Sequence, residues 1–308
     1  MRSHFLKVRD ISADDFNHII DKAIEIKNDQ AAWSDSLKGK TLGMIFQKTS
    51  TRTRFSFEVG MTQLGGHAIF AQTAHTQLGI ADIADEGKVI SRYVDLIMAR
   101  MRYSKDLQSL ADGSEVPVIN GLDEIYHPAQ ALTDLMTVKE KLGRTEDVKV
   151  VYFGIANNVS NSLSMATIYS GGRFTLCVPE FDPDAIDEEQ LDILHANDRY
   201  EETKDPIAAM KDADVIYTDT WINMEFYSDP AFAEEKARRE TTFLPYQINE
   251  ELLTHSGKDT LIMHCLPAHK GFEVNDTVLY TRNSVIFDQA ENRLHAQKAL
   301  MLYLLGKI

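Results

Sequence analysis

Five consecutive residues, Ser50-Thr51-Arg52-Thr53-Arg54, set hydroxyls beside two guanidinium groups. A guanidinium fork matches two phosphate oxygens at once, and the hydroxyls add further donors. Arg100, His127, Gln130 and Arg293 extend the set. An imidazole donates to a carbonyl oxygen, and a side-chain amide pairs with an amide-like group. Asp219 and Cys265 are of another kind. A carboxylate beside a thiol suits a cationic amine that must lose a proton before it attacks. Together these groups suit transfer of an acyl group from a phosphate to an amine. Alignment and oxyanion stabilisation would supply the catalysis, with no covalent enzyme intermediate. Each residue also has a plainer reading. Ser50 and Asp219 serve as helix caps, His127 as a histidine at a helix start, and Cys265 as a core thiol like Cys177. Arg293 serves as an ion-pair partner of Glu291 or Asp288.

The elements that would position these residues read as strands alternating with helices. The apolar run at 41–46 predicts a buried strand, and the stretch after Ser50 a helix stopped by Gly65-Gly66. The motif residues at its start meet a helix N-terminus, where unpaired amides and the helix dipole favour an anion. Residues 12–27 predict an amphipathic helix, 66–70 and 94–99 strands, and 75–85 a polar loop. Arg100 ends the strand at 94–99. A strand at 116–120 leads through Tyr126-His127-Pro128 into a helix over 131–141, and Pro128 keeps His127 extended. A short polar segment at 142–147 divides the chain. Beyond it, strands are expected at 148–154, 174–178, 214–219, 260–267 and 284–287. Helices are expected at 159–169, 184–196 and 206–211, with a solvated helix or lid at 232–240 and a terminal helix carrying Arg293. The fold class expected is therefore α/β, with two doubly wound parallel-sheet domains joined by bridging helices. The first would span residues 1–142 plus the terminal helix 291–308, and the second 147–290. In such sheets ligands bind beyond the carboxyl ends of the strands. Ser50 to Arg54, Arg100, His127, Gln130, Asn158, Asp219, Cys265 and Arg293 nearly all fall there, which predicts an active site in the interdomain cleft.

The whole chain sets bounds. Its 308 residues suit two domains, and 44% hydrophobic with 26% charged residues describes an ordinary globular protein. A formal charge of −15 argues against a nucleic-acid surface. Local arginines would draw in an anionic substrate against this field. No apolar run nears the ~20 residues of a membrane span, and no leader is read at the N-terminus. Two cysteines give no disulfide framework and fit a reducing cytoplasm. His264, Cys265 and His269 lack a fourth ligand at zinc spacing. The turn after Phe153 lacks the glycines of a dinucleotide fingerprint. No metal or cofactor is expected.

Ser50-Thr51-Arg52-Thr53-Arg54, His127-Pro128-Ala129-Gln130 and His264-Cys265-Leu266-Pro267 resemble the signature motifs of the carbamoyltransferase family. The cysteine motif resembles that of its ornithine branch and is absent from its aspartate branch. The likeness extends through Thr76-Gln77-Leu78-Gly79, Tyr217-Thr218-Asp219-Thr220-Trp221 and the segment from Ala290 to His295. The resemblance implies a carbamoyl-phosphate domain, an acceptor domain and a homotrimer with shared active sites. It implies that Ser50, Thr51, Arg52, Thr53, Arg100, His127, Gln130 and Arg293 hold carbamoyl phosphate, with Gln77 reaching in from a neighbouring subunit. It also implies that Asn158, Asp219, Asn223 and Met224 hold the acceptor, and that Cys265 and Leu266 line the reacting centre. Arg100, His127, Asp219 and Cys265 would be the catalytic residues.

Three places depart from the family pattern. Asn223-Met224-Glu225 stands where Ser-Met-Gly is usual, Ile155-Ala156 where Asp-Gly is usual, and Ile80-Ala81-Asp82-Ile83 where Arg-Gly-Glu-Pro is usual. None touches the phosphate motifs. Three functions follow as expectations. The first is carbamoyl transfer to L-ornithine, giving L-citrulline and phosphate in arginine metabolism. The second is the same transfer to another amine, such as putrescine or another diamino acid. The third is a non-catalytic carbamoyl-phosphate-binding homologue.

Overall fold

The computed structural model describes residues 4–222, 227 and 229–308. The chain alternates helices and strands in two sheets. In the first half these are α1 (Ala13–Asn28), β1 (Thr41–Phe46), α2 (Thr51–Gln63), β2 (His67–Gln72), α3 (Ile83–Ile90), β3 (Leu96–Arg100), α4 (Ser104–Gly113) and β4 (Val118–Leu122). α5 (Pro128–Leu142) leads to the second half. There follow β5 (Lys149–Ala156), α6 (Asn158–Tyr169), β6 (Arg173–Phe181), α7 (Glu188–His195), β7 (Tyr200–Thr203), α8 (Pro206–Met210) and β8 (Val215–Thr218). α9 (Ala233–Phe243), α10 (Glu250–Thr254), β9 (Leu261–His264), α11 (Asp276–Leu279) and α12 (Ile286–Leu304) complete the chain.

Both sheets are parallel. Their strand orders are β2-β1-β3-β4 and β7-β6-β5-β8-β9. Parallel pairing forces each connection to cross a sheet face, so helices cover both sides and the central strands read as apolar runs. β1, β3 and β5 are buried almost throughout. α5 is buried along most of its length and ends at Gly143, whose φ of 73° closes the helix in the left-handed conformation. α12 returns from the second half to pack against α1, α2 and α5. One of the apolar clusters, from Phe16 and Leu42 to Tyr217 and Leu300, therefore runs through both halves.

The differences from the expected elements have local causes. The strand expected at 284–287 is a single bridge, Ile262↔Ser284, because α12 starts at Ile286 and takes Val285-Ile286-Phe287 into its first turn. The stretch 184–196 divides into a short turn, Pro183–Ala185, and α7, which Asp187 caps. β7 went unread because its Tyr-Glu-Glu-Thr sequence is an exposed edge strand with no apolar alternation. The loop at 75–85 contains two tight turns, and Asp82 caps α3 by accepting from the Ala84 and Asp85 amides. Among the described residues no helix is long and apolar enough to cross a membrane.

Candidate active site

The anion motif lies where β1 ends and α2 begins. Ser50 is extended at the N-cap, its Oγ accepts from the Thr53 amide at 3.3 Å, and the same hydroxyl donates to Thr53 Oγ1 at 3.0 Å. Thr51 opens the helix and is exposed. The free amides of this first turn and the Arg52 side chain thus share one helix end. Arg52 Nη2 donates to the Leu266 carbonyl oxygen at 2.6 Å, across from the other sheet. Arg54 turns away, pairing with Glu58 and lying over the Phe70 ring.

Arg293, on α12, is buried and reaches the same place. Its Nη2 donates to Thr53 Oγ1 at 2.8 Å, and its Nη1 donates to Gln130 Oε1. Burial and the neighbouring Arg52 charge bring its pKa down to about 10, so it stays cationic at neutral pH. Arg100 ends β3, with Nη1 donating to the Gly121 carbonyl at 3.4 Å. His127 occupies the N-cap of α5, anchored by its amide donating to Ser162 Oγ at 2.8 Å. Its Nδ1 is buried without a hydrogen-bond partner. Burial first, and then the charges of Arg293, Arg100 and Arg52, hold the imidazole well below its ordinary pKa. A neutral ring keeps one N–H to donate, which suits a carbonyl oxygen gaining charge.

The facing groups come from β8 and β9. Asp219 follows β8, and Cys265 follows β9. Cys265 Sγ donates to Asp219 Oδ1 at 3.1 Å, and Asn157 Nδ2 donates to Asp219 Oδ2 at 3.0 Å. Burial and the Asp219 charge push the thiol well above its ordinary pKa. Cys265 is therefore a neutral donor rather than a thiolate nucleophile. His264 Nδ1 accepts from the Leu266 amide at 2.8 Å, so its proton sits on Nε2, which donates to Glu273 Oε1 at 3.2 Å. Glu273 also accepts from the His269 amide at 2.5 Å, and it is fully buried. This carboxylate fixes the turn that presents Cys265 and the Leu266 carbonyl. Asp219, His264 and Cys265 bring ligand-type atoms within 4.8 Å of one another. Both His264 nitrogens, the Cys265 thiol and both Asp219 oxygens are engaged in the hydrogen bonds above.

The structure thus brings together Ser50, Arg52, Thr53, Gln130, Leu266 and Arg293 through direct bonds, and His127 and Arg100 through charge. Asp219 and Cys265 pair on the facing side. Asn158 lies apart from that pair, with its Nδ2 donating to the Asp123 carbonyl at 2.6 Å. The amide on Asp219 belongs instead to the preceding residue, Asn157, which also caps α6 with Ser160. The Asn-Asn pair was visible in the sequence, but which member turns inward depends on the cap. Gln77 stands exposed in a turn between β2 and α3. Asn223 and Met224, with Glu225, lie outside the described residues.

Comparison with known proteins gives one family along the chain. Residues 3–140 match the family model for the aspartate/ornithine carbamoyltransferase carbamoyl-P binding domain, and residues 146–304 match that for the Asp/Orn binding domain. An ornithine carbamoyltransferase from Thermococcus kodakarensis is 49% identical over 276 residues, 88% of this chain and 86% of the relative. One from Archaeoglobus fulgidus is 43% identical over 99% of this chain and 98% of the relative. The solved structure of ornithine carbamoyltransferase from Pyrococcus furiosus superposes with a TM-score of 0.91 at 44% identity. It covers 100% of this chain and 98% of that one.

Proposed function

Because this chain belongs to the aspartate/ornithine carbamoyltransferase family, we propose that it transfers the carbamoyl group of carbamoyl phosphate to the side-chain amine of L-ornithine. The products are L-citrulline and phosphate, within arginine metabolism. The observation that carries this reading is that Arg52 and Arg293, bonded to the Leu266 carbonyl and to Thr53 and Gln130, join the start of α2 to the turn that carries Cys265, which is paired with Asp219.

In this reading Ser50, Thr51, Arg52 and Thr53 hold the phosphate with the free amides of α2, and Arg293 closes the pocket. The ornithine ammonium enters on the Asp219 side. Asp219 accepts its hydrogen bonds and draws off a proton, while the Cys265 thiol and the Asn157 amide fix the carboxylate. The free amine attacks the carbamoyl carbon, forming a C–N bond. Oxyanion charge builds on the carbonyl oxygen, which the His127 N–H, the Arg100 charge and the Thr53 hydroxyl stabilise. Collapse breaks the C–O bond, the electron pair leaves with phosphate, and the departing phosphate oxygen takes the nitrogen's second proton. Arg52 neutralises the departing dianion. Gln130 faces the carbamoyl amide and Leu266 lines the reacting centre.

A homotrimer completes the proposal, with Gln77 supplied by a neighbouring subunit. Phe55 on α2, Ile69 on the edge strand β2 and Ile80 ahead of α3 are apolar side chains exposed at 64%, 48% and 87%, which contact with a neighbouring subunit would cover. Two unbridged cysteines suit a reducing cytoplasm. The test is turnover of carbamoyl phosphate with ornithine, putrescine, lysine and aspartate, following phosphate and carbamoylated product. Ornithine is expected to be much the best acceptor. A preference for another amine, or no turnover with retained carbamoyl-phosphate binding, overturns the ornithine reading.

A further inference from the structure

Behind the pocket, α5 buries a carboxylate that the transfer chemistry leaves unused. Asp134 is fully buried, one helical turn past Gln130. Its Oδ1 accepts from two amides, Gln130 Nε2 at 2.8 Å and Gln289 Nε2 at 2.7 Å. A carboxyl buried this deeply costs stability, and its other oxygen, Oδ2, is buried with no hydrogen-bond partner. What it does here is decide which way two side-chain amides face. With its NH2 drawn to Asp134, Gln130 turns its carbonyl oxygen to Arg293, whose other nitrogen holds Thr53. With its NH2 drawn to the same oxygen, Gln289 turns its own carbonyl to the His264 amide at 3.0 Å, and the NH2 also reaches the Tyr217 hydroxyl at 3.1 Å. His264 immediately precedes Cys265, and Tyr217 lies two residues before Asp219. An unbroken chain of hydrogen bonds therefore runs from the anion pocket to the ends of β8 and β9.

We propose that Asp134 is a positioning residue: by orienting Gln130 and Gln289 in opposite senses it couples occupancy of the phosphate pocket to the strand ends that receive the acceptor amine. The assignment rests on the function proposed above. Flipping either amide would set an NH2 against a donor, Arg293 on one side or the His264 amide on the other, and donors cannot bond donors. The network is therefore two-ended, and a shift of Arg293 on binding an anion is felt at Cys265 through groups with no free orientation.

The test measures ornithine affinity by calorimetry on the full-length protein, with and without saturating phosphonoacetamide. This compound has a methylene in place of the bridging oxygen of carbamoyl phosphate, so no transfer occurs. In the native protein the anion is expected to tighten ornithine binding by about tenfold or more. Asp134→Asn, whose oxygen still accepts from both amides, is expected to retain that factor within about twofold. Asp134→Leu, which accepts from neither, is expected to bring it to one. Gln289→Leu cuts the chain at its far end and is expected to do the same, which keeps the test decisive should the Asp134→Leu protein fail to fold. A native factor of one, a native-like factor in either leucine variant, or its loss in the asparagine variant overturns the proposal. Turnover of carbamoyl phosphate with ornithine on the same native sample separates the two claims. Absent turnover defeats the proposed function, whereas turnover with unaltered coupling defeats only the role of Asp134.

Discussion

Arg52, at the first turn of α2, donates to the backbone carbonyl of Leu266, beyond the end of β9, at 2.6 Å. The guanidinium proposed to face the phosphate therefore also touches the turn that presents Cys265. Its replacement removes charge and a forked donor together. Arg52→Ala is expected to lower kcat/KM for carbamoyl phosphate by about 10²- to 10³-fold, a transition-state loss of about 3–4 kcal/mol. Arg52→Lys keeps the charge without the fork and falls between. Steady-state kinetics checks both, and an alanine variant with native kcat/KM contradicts the role.

Cys265 and Asp219 make the opposite kind of claim, about what the thiol does not do. Alkylation needs the thiolate, and burial with the Asp219 charge pushes the Cys265 thiol far up. Iodoacetamide at pH 8 is expected to modify it very slowly in the folded protein. Cys177, fully buried in the core with its thiol pushed up to about 12, should likewise label very slowly. Asp219→Asn removes the repelling charge and should speed labelling of Cys265. A mass-spectrometric time course reads all three, and rapid labelling of the native protein contradicts a neutral thiol.

Asp134 gives a pH signature of its own. Burial pushes its carboxyl up from 3.8 to about 7, against the Gln130 and Gln289 amides, the Tyr217 hydroxyl and the Arg293 charge. Cys265 also lies within its field. The folded protein then holds a proton that the unfolded chain has released, so its contribution is full below about pH 4 and is lost as pH rises to about 7. Asp134→Asn has no such titration. The melting temperature of the variant relative to the native protein should climb from pH 4 to pH 7 and level off above. A flat or falling difference contradicts the shift.

Gly113 closes α4 against the backbone of α3. A Cβ built there would lie 1.9 Å from the Ala84 carbonyl oxygen. Backbone cannot yield as a flexible side chain does, so Gly113→Ala should cost about 1–3 kcal/mol of stability, from overpacking. Denaturant unfolding measures it, and an unchanged midpoint contradicts the close approach.

Much of the fold and of the pocket could be read from sequence because both rest on local patterns. Apolar runs at 41–46 and 148–154 sit between polar turns, and parallel strands buried on both faces leave that trace. The helix start at Ser50 and the proline after His127 likewise act within a few residues. What stayed hidden depends on contacts far apart in the chain. Nothing near Gln289 says that it will meet Asp134, 155 positions away. Which of Asn157 and Asn158 faces Asp219 is decided by the capping geometry of α6. β7 escaped because an exposed edge strand has no buried face to alternate with.

The central claim is that the arginine pocket and the Asp219–Cys265 pair form one site, spaced for two substrates at once. A single compound tests it: phosphonoacetyl joined through an amide to the side-chain nitrogen of L-ornithine, titrated into the native protein and into Arg52→Ala and Asp219→Asn. Binding should exceed that of phosphonoacetamide and of ornithine by orders of magnitude, since the second half binds at high effective concentration, and each substitution should remove most of the gain. Affinity no better than that of the stronger half, or a gain untouched by both substitutions, would contradict a shared site.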